Sequence, residues 1–208
     1  MAGLFESLLD ELSSLWKKPH EPRTKRAYRC KCGRPVFFRN TQCLGCGAQL
    51  GYEPALGELR SIQPGGEPGS WQLTGESNSR GEYRRCSNFE SPAHCNWLVP
   101  SGDDSPHCIA CRLNRTIPEL DDDDNRHYWN LTELAKRRLI SQLLSLGLPV
   151  ESKDDNPDGG LAFDILRSPA DGPAVMTGHS NGLITINVEE ADDARREAIR
   201  TALHEPYR

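Results

Sequence analysis

Four of the chain's eight cysteines fall in residues 28–51, YRCKCGRPVFFRNTQCLGCGAQLG, and no other stretch constrains the fold as tightly. Cys30 and Cys32 form one close pair, Cys43 and Cys46 the other. Thiols one or two residues apart converge on a single point, which suits a tetrahedral cation and strains a disulfide. Each pair leads into a glycine, Gly33 or Gly47, where a positive φ permits the tight turn after a ligand. The stretch reads as a zinc ribbon. Val36, Phe37, Phe38 and Tyr28 are expected in its hairpin, the aromatics serving either as a miniature core or as a platform for bases.

The other four cysteines, Cys86, Cys95, Cys108 and Cys111, are spaced more loosely, with one Cys-x-x-Cys knuckle at the end. With the first quartet self-sufficient, these four thiolates are enough to close a second structural site. His94 and His107 adjoin cysteines and stand as alternative ligands. Two closed four-thiolate sites imply two structural zinc ions and no activated water. Disulfides in an exported protein are the competing reading; the spacing and the missing leader pattern favour metal in a cytoplasmic protein.

A chain of 208 residues with 36% hydrophobic residues, 18 glycines and 15 prolines has many turns and little continuous core, so small metal-stapled modules are expected. No run reaches the length of a membrane span, and no membrane partner is expected. The net charge of −5 is unevenly spread: residues 17–39 carry nine Lys or Arg against Glu21 alone, or +8, which leaves −13 elsewhere. That basic segment is suited to nucleic acid, to an acidic protein surface, or to a solvated linker.

The sequence divides into an amphipathic helix at 1–18, a basic linker at 19–27, the ribbon at 28–51, a second zinc-binding β module at 52–115 and an α+β unit at 116–208. In the first, Leu4, Phe5, Leu8, Leu9, Leu12, Leu15 and Trp16 form a helical stripe that needs a covering partner, self-association through residues 4–16 being one route. In the second module, strands are expected near 59–62, 71–73, 82–85 and 96–99, the last with Trp97 in the core. In the last unit, residues 121–124 read as a solvated acidic loop rather than a cation site. Asn130 and Glu133 mark a helix start, and Leu131, Leu134, Ala135, Leu139, Leu143 and Leu146 its buried stripe. Lys136, Arg137 and Arg138 fall on its wet face, and Gly147 and Pro149 stop it. Strands at 161–166, 174–177 and 183–188 follow, with a turn at 178–182 in which His179 is a turn residue rather than a ligand. Asp192 caps a last helix ending before Pro206.

The blocks CKCG, CLGCGAQLGYEP, CNWLVP, CIACRLNRTIP, AKRRLISQLLSLGLP, TGHSNGLITINVEEADDARRE and HEPYR, in that order, resemble the bacterial zinc-binding metallopeptidases that carry an N-terminal zinc ribbon. The resemblance implies a zincin-like α+β domain in which a His-Glu-x-x-His helix binds a third, catalytic zinc and activates water against a peptide carbonyl. This sequence has no such motif: His204-Glu205-Pro206-Tyr207-Arg208 has Arg in place of the second histidine and a helix-breaking Pro206. The expectation is therefore the front part of such an enzyme, inactive alone, with a peptide or protein substrate only in a full-length form. Ile184, Thr185, Ile186 and Asn187 are the candidate substrate-edge strand, with an ordinary sheet strand as the alternative.

Overall fold

The computed structural model describes residues 27–75, 81–202 and 204. The expected N-terminal helix, the basic linker except Ala27, and Pro206 lie outside the described residues. The fold is mixed α+β, with eleven short strands and two α-helices among the described residues.

In the first ribbon, β1 (Tyr28–Arg29) pairs antiparallel with β2 (Pro35–Val36). The two knuckles share one construction. Gly33 (φ 83°) donates its N–H to the Cys30 carbonyl, and Gly47 (φ 71°) donates to the Cys43 carbonyl, each at 2.8 Å. A side chain at either position would resist that left-handed turn.

The next five strands form an antiparallel meander in chain order: β3 (Gln49–Glu53), β4 (Glu58–Pro64), β5 (Ser70–Leu73), β6 (Tyr83–Arg85) and β7 (Leu98–Pro100). The sheet curls until its ends meet, because the Tyr52 N–H donates to the Asn96 carbonyl at 2.9 Å and Tyr52 bridges Trp97. Gly51 permits the approach: a Cβ there would stand 2.6 Å from the Leu98 side chain. β3 runs through residues 51 and 52, where the sequence reading divides ribbon from second module. One core continues from Tyr28 through Trp97 and Trp129 to Val188. At its centre the Tyr52 and Trp97 rings lie 4.6 Å apart, with Phe38 packed edge-on at 5.0 Å from Tyr52. The Asn96 side-chain amide clamps the ribbon onto this core by donating to the carbonyls of Phe38 and Asn40.

The C-terminal part is built on β8 (Asn114–Thr116), β9 (Ala162–Leu166), β10 (Gly178–Ser180) and β11 (Leu183–Asn187), in the sheet order β10-β11-β9-β8. β8, β9 and β11 run parallel, and β10 folds back antiparallel on β11. Asn181 and Gly182, both at positive φ, make the two-residue turn. The hairpin's first strand therefore lies at 178–180, not 174–177, with His179 on it. β11, which holds Ile184, Thr185, Ile186 and Asn187, is internal to the sheet: β10 pairs with its Leu183–Thr185 portion, and beyond that the Asn187 N–H donates to Thr177 Oγ1 at 3.0 Å. β10 and β8 are the edges of that sheet.

Helix α1 (Asp123–Ser145) crosses from β8 to β9, and α2 (Asp193–Ala202) follows β11. α1 starts a full two turns before the expected Asn130. Asp122 is its cap, accepting from the Asn125 N–H at 2.9 Å, and Asp123 and Asp124 sit in the first turn beside the positive end of the helix dipole. The acidic run is thus a helix start. The Asn125 N–H, and after it the Arg167 guanidinium, hold the Asp122 carboxyl below the usual carboxylate range. At the other end Gly147 (φ 74°) donates to Leu144, and Leu148 to Leu143, which closes the helix as expected. Asp192 caps α2 by accepting from the N–H groups of Ala194 and Arg195.

The face that α1 buries departs from the sequence expectation. Trp129, Thr132, Glu133, Lys136, Arg137 and Ile140 point inward, whereas Leu131, Ala135, Leu139 and Leu146 of the apolar stripe are exposed. The reason is the surface the helix rests on. The loop between Cys86 and Cys95 presents bare carbonyls, and the helix supplies donors: Asn130 to Pro92 at 2.7 Å and Arg137 to Ala93 at 2.9 Å.

Candidate metal centres

Both cysteine quartets converge. In each, the four sulfurs all lie within 4.8 Å of one another, and all eight thiols are free of disulfides. A zinc ion with sulfurs at 2.3 Å in a tetrahedron requires sulfur–sulfur edges of roughly 3.8 Å. The observed pairs meet that demand: Cys30 to Cys46 at 3.5 Å, Cys32 to Cys43 at 3.8 Å and Cys95 to Cys108 at 3.7 Å. Disulfide sulfurs would stand about 2.0 Å apart. The donor sets therefore fit zinc.

The two centres differ in their surroundings. The first lies at the surface, with Cys32 and Cys46 exposed and Cys30 and Cys43 buried. Ser61 on β4 ties it to the meander, its hydroxyl oxygen accepting from the Lys31 N–H at 3.0 Å and standing 3.3 Å from the Cys30 sulfur. Burial pushes the Cys30 thiol up, but the Cys32 N–H, Ser61 and the neighbouring thiols outweigh it and bring it to about 6.

All four cysteines of the second centre are buried. Side-chain hydrogen bonds from Cys108, Cys111 and Cys95 hold Cys86 far below the ordinary thiol range, helped by the Cys108 N–H at 3.4 Å. Burial pushes Cys95 and Cys108 well above it. One negative charge is easily held there, and further thiolates require a cation among them. His94 is exposed in the left-handed region (φ 44°) and, like His107, stands outside the quartet.

Sequence reasoning missed the polar cluster beneath this second centre. Glu133, fully buried, faces the Cys111 sulfur at 3.9 Å with one carboxylate oxygen. It accepts from Lys136 Nζ at 2.6 Å and Asn114 Nδ2 at 2.9 Å, with Arg137 Nη1 at 3.8 Å. Lys136 also donates to the Asn114 side-chain carbonyl and lies over the Phe163 ring. The signal was in the sequence: Glu133, Lys136 and Arg137 stand at i, i+3 and i+4, the spacing of helix ion pairs.

Beside Lys136, the exposed residues Leu131, Ala135 and Leu139 of α1 border an open hollow of about 480 Å³, which Phe163 and Ile186 also line. Among the described residues, the two cysteine quartets are the groups of three or more His, Cys, Asp or Glu whose ligand atoms converge. Also among them, no helix is long and apolar enough to cross a membrane.

Comparison with known proteins matches both halves of the chain. A zinc-ribbon domain family matches residues 27–122, which span both quartets, and the family described as "Putative zinc-binding metallo-peptidase" matches residues 125–208. Uncharacterized proteins of Mycobacterium bovis and of Mycobacterium tuberculosis are 36% identical over 184 residues, 88% of this chain and 49% of each relative. The chain thus spans about half the length of the curated relatives it matches. No solved structure matches it significantly. The chain is thus similar to a zinc-ribbon domain over residues 27–122 and to the family described as "Putative zinc-binding metallo-peptidase" over residues 125–208.

Proposed function

We propose that this chain is the two-zinc ribbon and supporting scaffold of a cytoplasmic zinc metallopeptidase. Cys30, Cys32, Cys43 and Cys46 hold one structural ion, and Cys86, Cys95, Cys108 and Cys111 hold the other. The observation that carries this reading is the sulfur spacing in both quartets, which fits tetrahedral zinc and leaves no position for a reacting water. Zinc binding contributes on the order of 10 kcal/mol to small metallodomains, enough to decide whether such short strands fold. Peptide hydrolysis belongs to the longer form that the relatives' length suggests, with a catalytic zinc on a His-Glu-x-x-His helix. The hollow between α1 and the second sheet is the apolar surface available to receive such a helix.

The expected result of native mass spectrometry on the purified chain is two zinc ions per polypeptide. Cys46→Ser and Cys95→Ser should each remove one. A wild-type chain with one ion or none, or with a disulfide in either quartet, would overturn the reading.

A further inference from the structure

We propose that the outer face of the first ribbon binds single-stranded nucleic acid through Arg29, Lys31, Arg34 and Arg39, with Phe37 as a stacking platform. All four cations are exposed, and residues 27–48 contain no Asp or Glu. None of the four has a carboxylate within ion-pair distance among the described residues, whereas most arginines elsewhere do. Arg60 pairs with Glu58, Arg112 with Asp103, Arg115 with Asp164, and Arg195 with Glu189. A protein with a net charge of −13 outside residues 17–39 has carboxylates to spare. The ribbon nonetheless keeps its cations unpaired, as a surface for an external polyanion does. A zinc tetrathiolate offsets half of the ribbon's positive charge and leaves the patch positive.

The aromatic decides between polyanions. Phe38 turns into the core, but Phe37, directly after β2, is 55% exposed, its backbone fixed by the Phe37 N–H donating to Asn40 Oδ1 at 2.7 Å. An exposed ring among arginines is what unpaired bases stack on, and an acidic peptide has no use for it. Leu44, at the second knuckle, is also exposed, at 97%.

The test is fluorescence anisotropy of a labelled oligothymidylate with the full, zinc-loaded chain, titrated between about 50 and 200 mM salt. Each phosphate contact on a single strand contributes roughly 0.7 to the salt slope, so the Arg34→Gln/Arg39→Gln pair should lower it by about 1.4. Phe37→Ala should weaken binding about tenfold and leave the slope unchanged. Zinc content reports whether the variants fold; if the first pair loses zinc, Arg29→Gln/Lys31→Gln reads the same slope. Absence of binding at the lower salt, or a slope that neither pair changes, overturns the proposal. Polyglutamate competing as well as the oligonucleotide at equal charge also overturns it and points to an acidic protein partner.

Discussion

Replacing Cys108 by serine should abolish cooperative unfolding of the second module together with its zinc. Cys108 is fully enclosed, and its N–H and sulfur both belong to the quartet that holds the Cys86–Cys95 loop against α1. A structural zinc site contributes roughly 10 kcal/mol, comparable to the whole stability of a domain, so no reserve elsewhere compensates. Cys46→Ser, at the exposed centre, should have a smaller effect. It removes the first ion and loosens residues 27–48, while the curled meander keeps its Tyr52–Trp97 core and its own melting transition. Calorimetry and zinc content on the two variants measure the difference. Equal losses of stability would contradict the assignment of the second centre as the keystone of the fold.

The second large effect is expected at Lys136. Its ammonium is buried against the Glu133 carboxylate, which in turn faces Cys111. Lys136→Met strips that carboxylate of its closest cation and leaves Arg137 at 3.8 Å and Asn114 as remaining partners. Removing one member of a buried ion pair costs about 3–5 kcal/mol, much of it the penalty of leaving the other charge uncompensated. Adding Glu133→Gln to Lys136→Met should restore part of that loss, because the stranded charge is then gone. Urea denaturation of both variants checks this. A loss below about 1 kcal/mol for Lys136→Met, the range of surface ion pairs, would show the pair to be solvated.

These two sites also mark how far the sequence could be read. The first quartet was legible because Cys-x-Cys and Cys-x-x-Cys, each followed by glycine, specify a local geometry that needs no knowledge of the rest of the chain. The Asn181-Gly182 turn and the stop at Gly147 were legible for the same reason. What failed was inference about which face meets what. The leucines of α1 form a helical stripe, and burial of that stripe is the default expectation. Here the helix must supply donors to the carbonyls of Pro92 and Ala93, and a polar face wins. Periodicity reports amphipathicity but does not identify the neighbour. The acidic run at 121–124 was misread because its capping role depends on where the helix begins, and three adjacent aspartates fit a cap and first turn as well as a loop. The strand at Ile184, Thr185, Ile186 and Asn187 was placed correctly, but its position inside the sheet follows from pairing, which a single strand's sequence does not encode.

The central claim is that both quartets bind zinc through four thiolates each. Zinc-edge X-ray absorption on the purified chain tests it most directly. The account predicts a single shell of four sulfurs at about 2.3 Å, with no nitrogen or oxygen component. A shell containing a histidine nitrogen at about 2.0 Å, or a sulfur count well below four per zinc, would contradict it.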